Sequence, residues 1–180
     1  GGTPGAPNSV RIEDPAPPPA GSPFIPQGAV WKFFRGRSEP PANWNTAGFG
    51  DAAWESGPAG FGYDDGDDAT VLNDMRTQYT TVYVRRAFDV PDPAAVQSLS
   101  LSVLYDDGYV AYLNGVEVDR INVPGTAGTR VPFDAVTTGF VEPPVTRVLD
   151  ISSSRSLLVA GTNVLAVEGV GDRPAVLAEI

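Results

Sequence analysis

The sequence predicts an all-β domain, an antiparallel jelly-roll β-sandwich of about eight short strands. Three observations carry that prediction. The chain of 180 residues holds 20 Gly and 18 Pro, enough turn-formers to cut it into short segments. Residues 79–90 and 98–105 alternate apolar and polar side chains with the period of two that marks a half-buried strand. Finally, Asn114-Gly115 separates two apolar runs, and this dipeptide tolerates the positive φ that both central residues of a tight hairpin need.

Composition removes several functional classes. Hydrophobic residues make up 42% of the chain, and 12 basic against 22 acidic residues give a net charge of -10. A core can form without staples, while nucleic acid and anionic membranes would repel the domain. There is no Cys and no His, which excludes disulfides, thiolate chemistry, the usual zinc ligands and any His-based catalytic triad. No apolar run is long enough to predict membrane insertion.

Residues 1–23 are rich in Pro, Gly and Ala and read as an extended linker or the tail of a preceding domain. The sandwich is expected over 24–180. Its first strand is Ala29–Phe34, stopped by Arg35-Gly36-Arg37 and Pro40-Pro41. Trp44, Phe49 and Trp54 then lie in an ordered loop with one helical turn near 50–54. Tyr79–Val90 is the clearest strand: Val82, Val84, Phe88 and Val90 share one face, while Thr81, Tyr83, Arg85 and Asp89 share the other. Arg86 falls on the apolar face and must reach the sheet edge or a carboxylate. Ser98–Tyr105 is the next strand, followed by an acidic turn and the hairpin. In the returning strand, Val116 and Val118 have one parity and Ile121 and Val123 the other, which predicts a β-bulge near Asp119-Arg120. Residues 124–145 read as a loop with one short edge strand around Val131. Thr146–Ile151 is a strand and Ser152–Leu158 a helical turn. Two strands, Thr162–Glu168 and Ala175–Ile180, close the domain across a loop at 169–174.

The ordered series Trp31, Trp44, Phe49-Gly50-Asp51, Trp54, Gly60-Phe61-Gly62-Tyr63, Tyr83-x-Arg85-Arg86-x-Phe88, Asp106-Asp107-Gly108, Tyr112-Leu113-Asn114-Gly115 and Gly161-Thr162-Asn163-Val164-Leu165-Ala166-Val167-Glu168 resembles one family. It is similar to the galactose-binding-domain-like jelly-roll modules attached to large secreted bacterial proteins. The opening GGTPGAPNS resembles the end of a lamin-tail-type domain, which often occurs in the same hosts. The resemblance implies a non-catalytic accessory module outside the cell. Its function would be carbohydrate binding, or the spacing and docking of neighbouring domains of the same chain. Family members usually carry a His-containing loop after Ala-Val-Glu, and GVGDRPAVLAEI has none.

The candidate ligand set is Asp106, Asp107, Trp44 and Arg120. Adjacent carboxylates offer hard oxygen ligands and acceptors for sugar hydroxyls, and they equally suit a sharp turn that accepts backbone N–H groups. A similar Asp-Asp-Gly in the adhesin domains of yeast flocculins and in anthrax protective antigen can hold calcium. Of the tryptophans, Trp44, flanked by Asn43 and Asn45, is expected to be the most exposed and so the best placed to pack on a sugar ring. Asp64, Asp65, Asp67 and Asp68 form the candidate metal set, since crowded carboxylates repel one another unless solvated or neutralised by a cation. A structural calcium and a solvated acidic loop are the two readings. No other cofactor is expected, and a polysaccharide or glycan is the expected partner. Arg85 and Arg86 are expected to pair with carboxylates at strand ends.

Overall fold

A computed structural model describes residues 21–63, 68–141 and 143–179, those from 172 on as backbone alone. Nine strands form among the described residues: β1 (Val30–Arg35), β2 (Glu55–Pro58), β3 (Phe61–Gly62), β4 (Thr70–Val71), β5 (Thr81–Val90), β6 (Ser100–Leu113), β7 (Val116–Ile121), β8 (Val145–Asp150) and β9 (Gly161–Glu179). One helical turn, α1 (Met75–Gln78), precedes β5, and 3-10 turns span Pro93–Ala95 and Ser152–Leu157. No helix among the described residues is long and apolar enough to cross a membrane.

The two longest strands, β6 and β9, organise the sandwich because each serves both layers. In the first layer, residues 161–170 of β9 lie between β5 and residues 108–113 of β6, with β1 and β2 beyond β5 and β7 beyond β6. In the second, the backbone of 175–179 pairs with residues 102–106 of β6, with β8 on the far side of β6 and β3 on the far side of β9. All of these ladders are antiparallel, and the short β3–β4 contact is parallel. Between the layers the register of β6 against β9 shifts, from Asp106↔Ala175 to Gly108↔Val170. The chain thus turns from one layer to the other at Asp106-Asp107-Gly108.

Several expectations change here. The strands anticipated at 98–105 and 109–113 are one strand, because the acidic turn is a bulge inside β6 that leaves pairing intact on both sides. For the same reason the two closing strands are the single strand β9, without a separating loop at 169–174. Val131 lies in no strand and is buried instead. The bulge foreseen near Asp119-Arg120 is present: Ala111 pairs with Asp119 and Tyr112 with Glu117, so Val118 is the extra residue.

The layers enclose one core. Phe33, Val82, Val84, Phe88, Ala111, Leu113, Leu165 and Val167 of the first layer pack with Phe61, Leu101, Val103 and Tyr105 of the second. Each fully buried side chain of this size stabilises the fold by roughly 1.5–3 kcal/mol. A second core lies on the opposite face of the first layer, where Tyr83, Val110, Tyr112, Val164, Ala166 and Val170 are covered by Trp44, Trp54, Val123, Val131 and Ala135 from two long loops. The first layer is therefore covered on both faces. The outer face of the second is not: Ser100 and Val148 are exposed there, and Ser102 and Leu104 half-buried.

Asn114 and Gly115 adopt φ of 50° and 87°, the pair of positive values a tight hairpin requires. The Asn114 side chain does more than turn the chain. Its amide donates to Leu157 O and Asn163 Oδ1 at 2.8 Å each, and its Oδ1 accepts from Val164 N at 2.8 Å. The hairpin is thereby tied to the start of β9.

Candidate functional site

The Asp106-Asp107-Gly108 bend is the first place where geometry and chemistry meet. Asp107 has φ of 68°, a left-handed conformation that Asp tolerates better than most residues. Its carboxylate Oδ1 accepts from Val141 N at 3.1 Å, and its carbonyl accepts from Asn122 Nδ2 at 2.8 Å. Asn122 is also left-handed, with φ of 52°, and its carbonyl accepts from Thr138 N at 2.8 Å. Both Asp106 and Asp107 are buried. At Gly108 an added Cβ would lie 2.9 Å from the carbonyl oxygens of Ile121 and Asn122, so the close approach of the chain demands glycine. The bend therefore holds the 138–141 loop at both ends. Within that loop Phe140 is 76% exposed.

The covered face of the first layer is the second place. In-register neighbours form rows across the sheet: Tyr83, Glu168, Val110, Arg120 in one, and Arg85, Ala166, Tyr112, Glu117 in the next. The Val118 bulge puts Glu117 and Arg120 on the same face although they are three residues apart. Arg120 grips Glu117 through Nε at 2.7 Å and Nη2 at 2.8 Å, and donates also to Pro124 O and Thr129 O at 3.2 and 2.6 Å. Burial pushes the Glu117 carboxyl up, but the Arg120 bonds and the Gly128 N–H outweigh it and hold the group below its ordinary range. The guanidinium is thus committed to clasping the 123–129 loop.

Trp44 is only 4% exposed, against the expectation that it is the open tryptophan. Its ring stands edge-on to Tyr83 and Tyr112, with centroids 5.0 and 5.7 Å away, and stacks on Trp54 at 6.1 Å. The flanking asparagines mark the loop as polar, but the indole itself turns inward onto the aromatic side chains of the sheet. Arg85 pairs with Asp51, as anticipated, and also donates to Thr46 O at 2.8 Å, pinning the same loop. Arg86 reaches the neighbouring strand's carbonyl at Val30.

Glu168 lies under these loops, 1% exposed, and neither its Oε1 nor the Tyr83 hydroxyl has a hydrogen-bond partner of ordinary geometry. Burial pushes the Glu168 carboxyl up to about 8, with Tyr83, Arg130 and Arg120 offsetting part of the rise and Glu39 adding to it. Tyr83 and Tyr112 are pushed above the ordinary phenol range, chiefly by burial and then by the Glu168 charge.

Of the acidic loop, Asp64, Asp65 and Asp67 lie outside the described residues, and Asp68 is half-buried. Among the described residues no group of three or more carboxylates is placed to hold a metal ion. The structure brings Asp106 and Asp107 together at the bend, while Trp44 and Arg120 belong to the covered face. Sequence reasoning passed over Phe140 and Glu168. Phe140 had a signal as a large aromatic in a Thr/Gly stretch, and Glu168 as a carboxylate at the parity of Val164, Ala166 and Val170.

No family model matches the chain, and no curated protein does. Solved structures do. A β-glucuronidase of Bifidobacterium dentium, complexed with coumarin-3-O-glucuronide, is 24% identical with a TM-score of 0.50, the match covering 80% of this chain and 19% of that one. A Bacteroides uniformis β-glucuronidase is 14% identical with a TM-score of 0.51, over 87% of this chain and 17% of the other. A β-glucuronidase from glycoside hydrolase family 2 is 19% identical with a TM-score of 0.50, over 81% and 14%. The chain spans less than a fifth of the length of these enzymes, and the likeness shows a shared fold: an all-β sandwich of the kind that occurs as one module within large glycosidases.

Proposed function

We propose that the chain is a non-catalytic accessory module of an extracellular protein and binds carbohydrate at the 138–141 loop. The observation that carries this reading is Phe140, an aromatic ring open to solvent on a loop held by Asp107 and Asn122. A fixed flat ring packs on the C–H face of a sugar at little entropic cost. Asp107 then acts as a positioning residue and Phe140 as the contact. Affinity gels cast with a series of polysaccharides test this. Wild-type protein should be retarded on at least one, and Phe140→Ala should run free on it with unchanged Tm; equal retardation of both proteins, or none on any polysaccharide, removes the reading.

Calcium belongs to this proposal only through the Asp64–Asp68 loop. A fall in Tm of several degrees on chelation would assign an ion there, and an unchanged melting curve would remove it.

A docking module is the second reading, favoured by the uncovered outer face of the second layer, where Val148 is 69% exposed. A neighbouring domain of the same chain would supply the missing cover. A longer piece of the parent protein should then protect the β8 amides from exchange relative to the isolated domain, and identical protection would count against docking.

A further inference from the structure

The covered face of the first layer holds a carboxyl group that the carbohydrate reading does not use. Glu168 sits flat on the sheet between Tyr83 and Val110, beneath loops 36–54 and 123–135. Those two loops are stapled to each other by charges that act electrostatically on Glu168. Arg130 pairs with Glu39 at 2.5 Å and donates to Pro40 O at 2.9 Å, while Glu39 also accepts from Phe133 N at 3.0 Å. Thr80 and Thr81 then tie the second loop to β5 through Ala135 O and Phe133 O, both at 2.7 Å.

We propose that Glu168 is a proton-controlled latch for this loop layer: protonated, it lies neutral beneath the Arg130–Glu39 staple, and ionised, it loosens the staple and lets the layer open.

The charges facing Glu168 from each packed element set the direction. From the sheet come Tyr83 and Arg85 on β5, Tyr112 on β6, and Arg120 with Glu117 on β7; from the loops come Glu39, Arg130 and Asp51. Arg85 is held by Asp51 and Arg120 by Glu117. Among the described residues Arg130 has Glu39 as its carboxylate partner, and an ionised Glu168 would repel Glu39 while attracting Arg130, which pulls the two members of the staple apart. A negative charge here is also under-satisfied, since Oε1 has no partner and Tyr83 offsets only part of the cost of burial, and a poorly compensated buried charge is relieved by admitting water. The carboxyl's rise to about 8 makes opening progressively easier up to that pH and level beyond it, and opening would uncover the Trp44, Tyr83 and Tyr112 rings.

Hydrogen exchange on the full chain between pH 6.5 and 9.5, corrected for intrinsic base catalysis, tests the latch. Residues 36–54 and 123–135 should lose protection about tenfold or more as the pH rises from 6.5 to 8 and level off above it, while the inward-facing segments of β5 and β9 stay protected. Glu168→Gln, neutral at every pH, should show no such change. Equal loss of protection in Glu168→Gln, or constant protection in the wild type, overturns the proposal. If that variant does not fold, carbon-detected NMR titration of the wild-type glutamate carboxyls decides the matter. A midpoint near 8 supports the latch and one near the ordinary carboxylate value overturns it.

Discussion

The two halves of β6 run through the same strand and meet opposite environments. Residues 108–113, GYVAYL, are buried without exception, whereas Ser100–Tyr105 alternates between buried and accessible positions. The first half faces the inter-layer core on one side and the Trp44 loops on the other; the second faces the core on one side only. A strand covered on both faces is apolar throughout, and a strand covered on one face alternates. The difference is written into the sequence, but only as pattern, because the residues that do the covering are distant in the chain.

The two environments should respond most differently to one substitution made in both. Val110→Asp places a charge where both faces are closed and should cost about 4 kcal/mol or more, enough to unfold a marginal domain. Val148→Asp, on the open face of the second layer, should cost less than about 1 kcal/mol. Urea denaturation of the two variants measures both, and similar losses would mean that the second layer is covered as well.

The pH dependence follows in size. The folded state keeps a proton on Glu168 that the unfolded chain releases at the ordinary value of 4.5. Stability from this group is therefore full below 4.5, falls as the pH rises toward 8, and is level above it. The slope approaches about 1.4 kcal/mol per pH unit within that window. Urea titrations at a series of pH values should show it in the wild type and not in Glu168→Gln.

The hinge between the halves is sharpened by smaller effects. Gly108→Ala drives a Cβ against two backbone carbonyls and should cost about 1–3 kcal/mol. Asp107→Asn keeps an acceptor for Val141 N and a residue type that tolerates positive φ, so its cost should stay near 0.5 kcal/mol. A large loss in Asp107→Asn at unchanged loop structure would give the negative charge itself a role.

Much of this architecture was legible beforehand. Alternation in 81–90 located β5 and assigned its faces, Asn114-Gly115 located the hairpin, and the parity change after Val118 located the bulge. What pattern alone could not give was continuity through the bend, because Asp106-Asp107-Gly108 is a turn signal whether the chain leaves the sheet or merely changes layer. Trp44 was misjudged because local polarity says nothing of which way an indole turns. Its burial depends on Tyr83 and Tyr112, brought together by strand pairing. Arg120 was singled out without the carboxylate that holds it, since only the bulge puts Glu117 on the same face. Phe140 becomes visible once Asp107 and Asn122 are seen to hold its loop with Val141 against the core and the Phe140 ring in solvent.

The most direct test of carbohydrate binding at that loop is an amide chemical-shift titration of the labelled domain with a polysaccharide that retards it. Shifts should concentrate at 138–141 and at Asp107 and Asn122, and be absent in Phe140→Ala. Shifts confined to β8 and the outer face of the second layer, with the 138–141 amides unmoved, would contradict it.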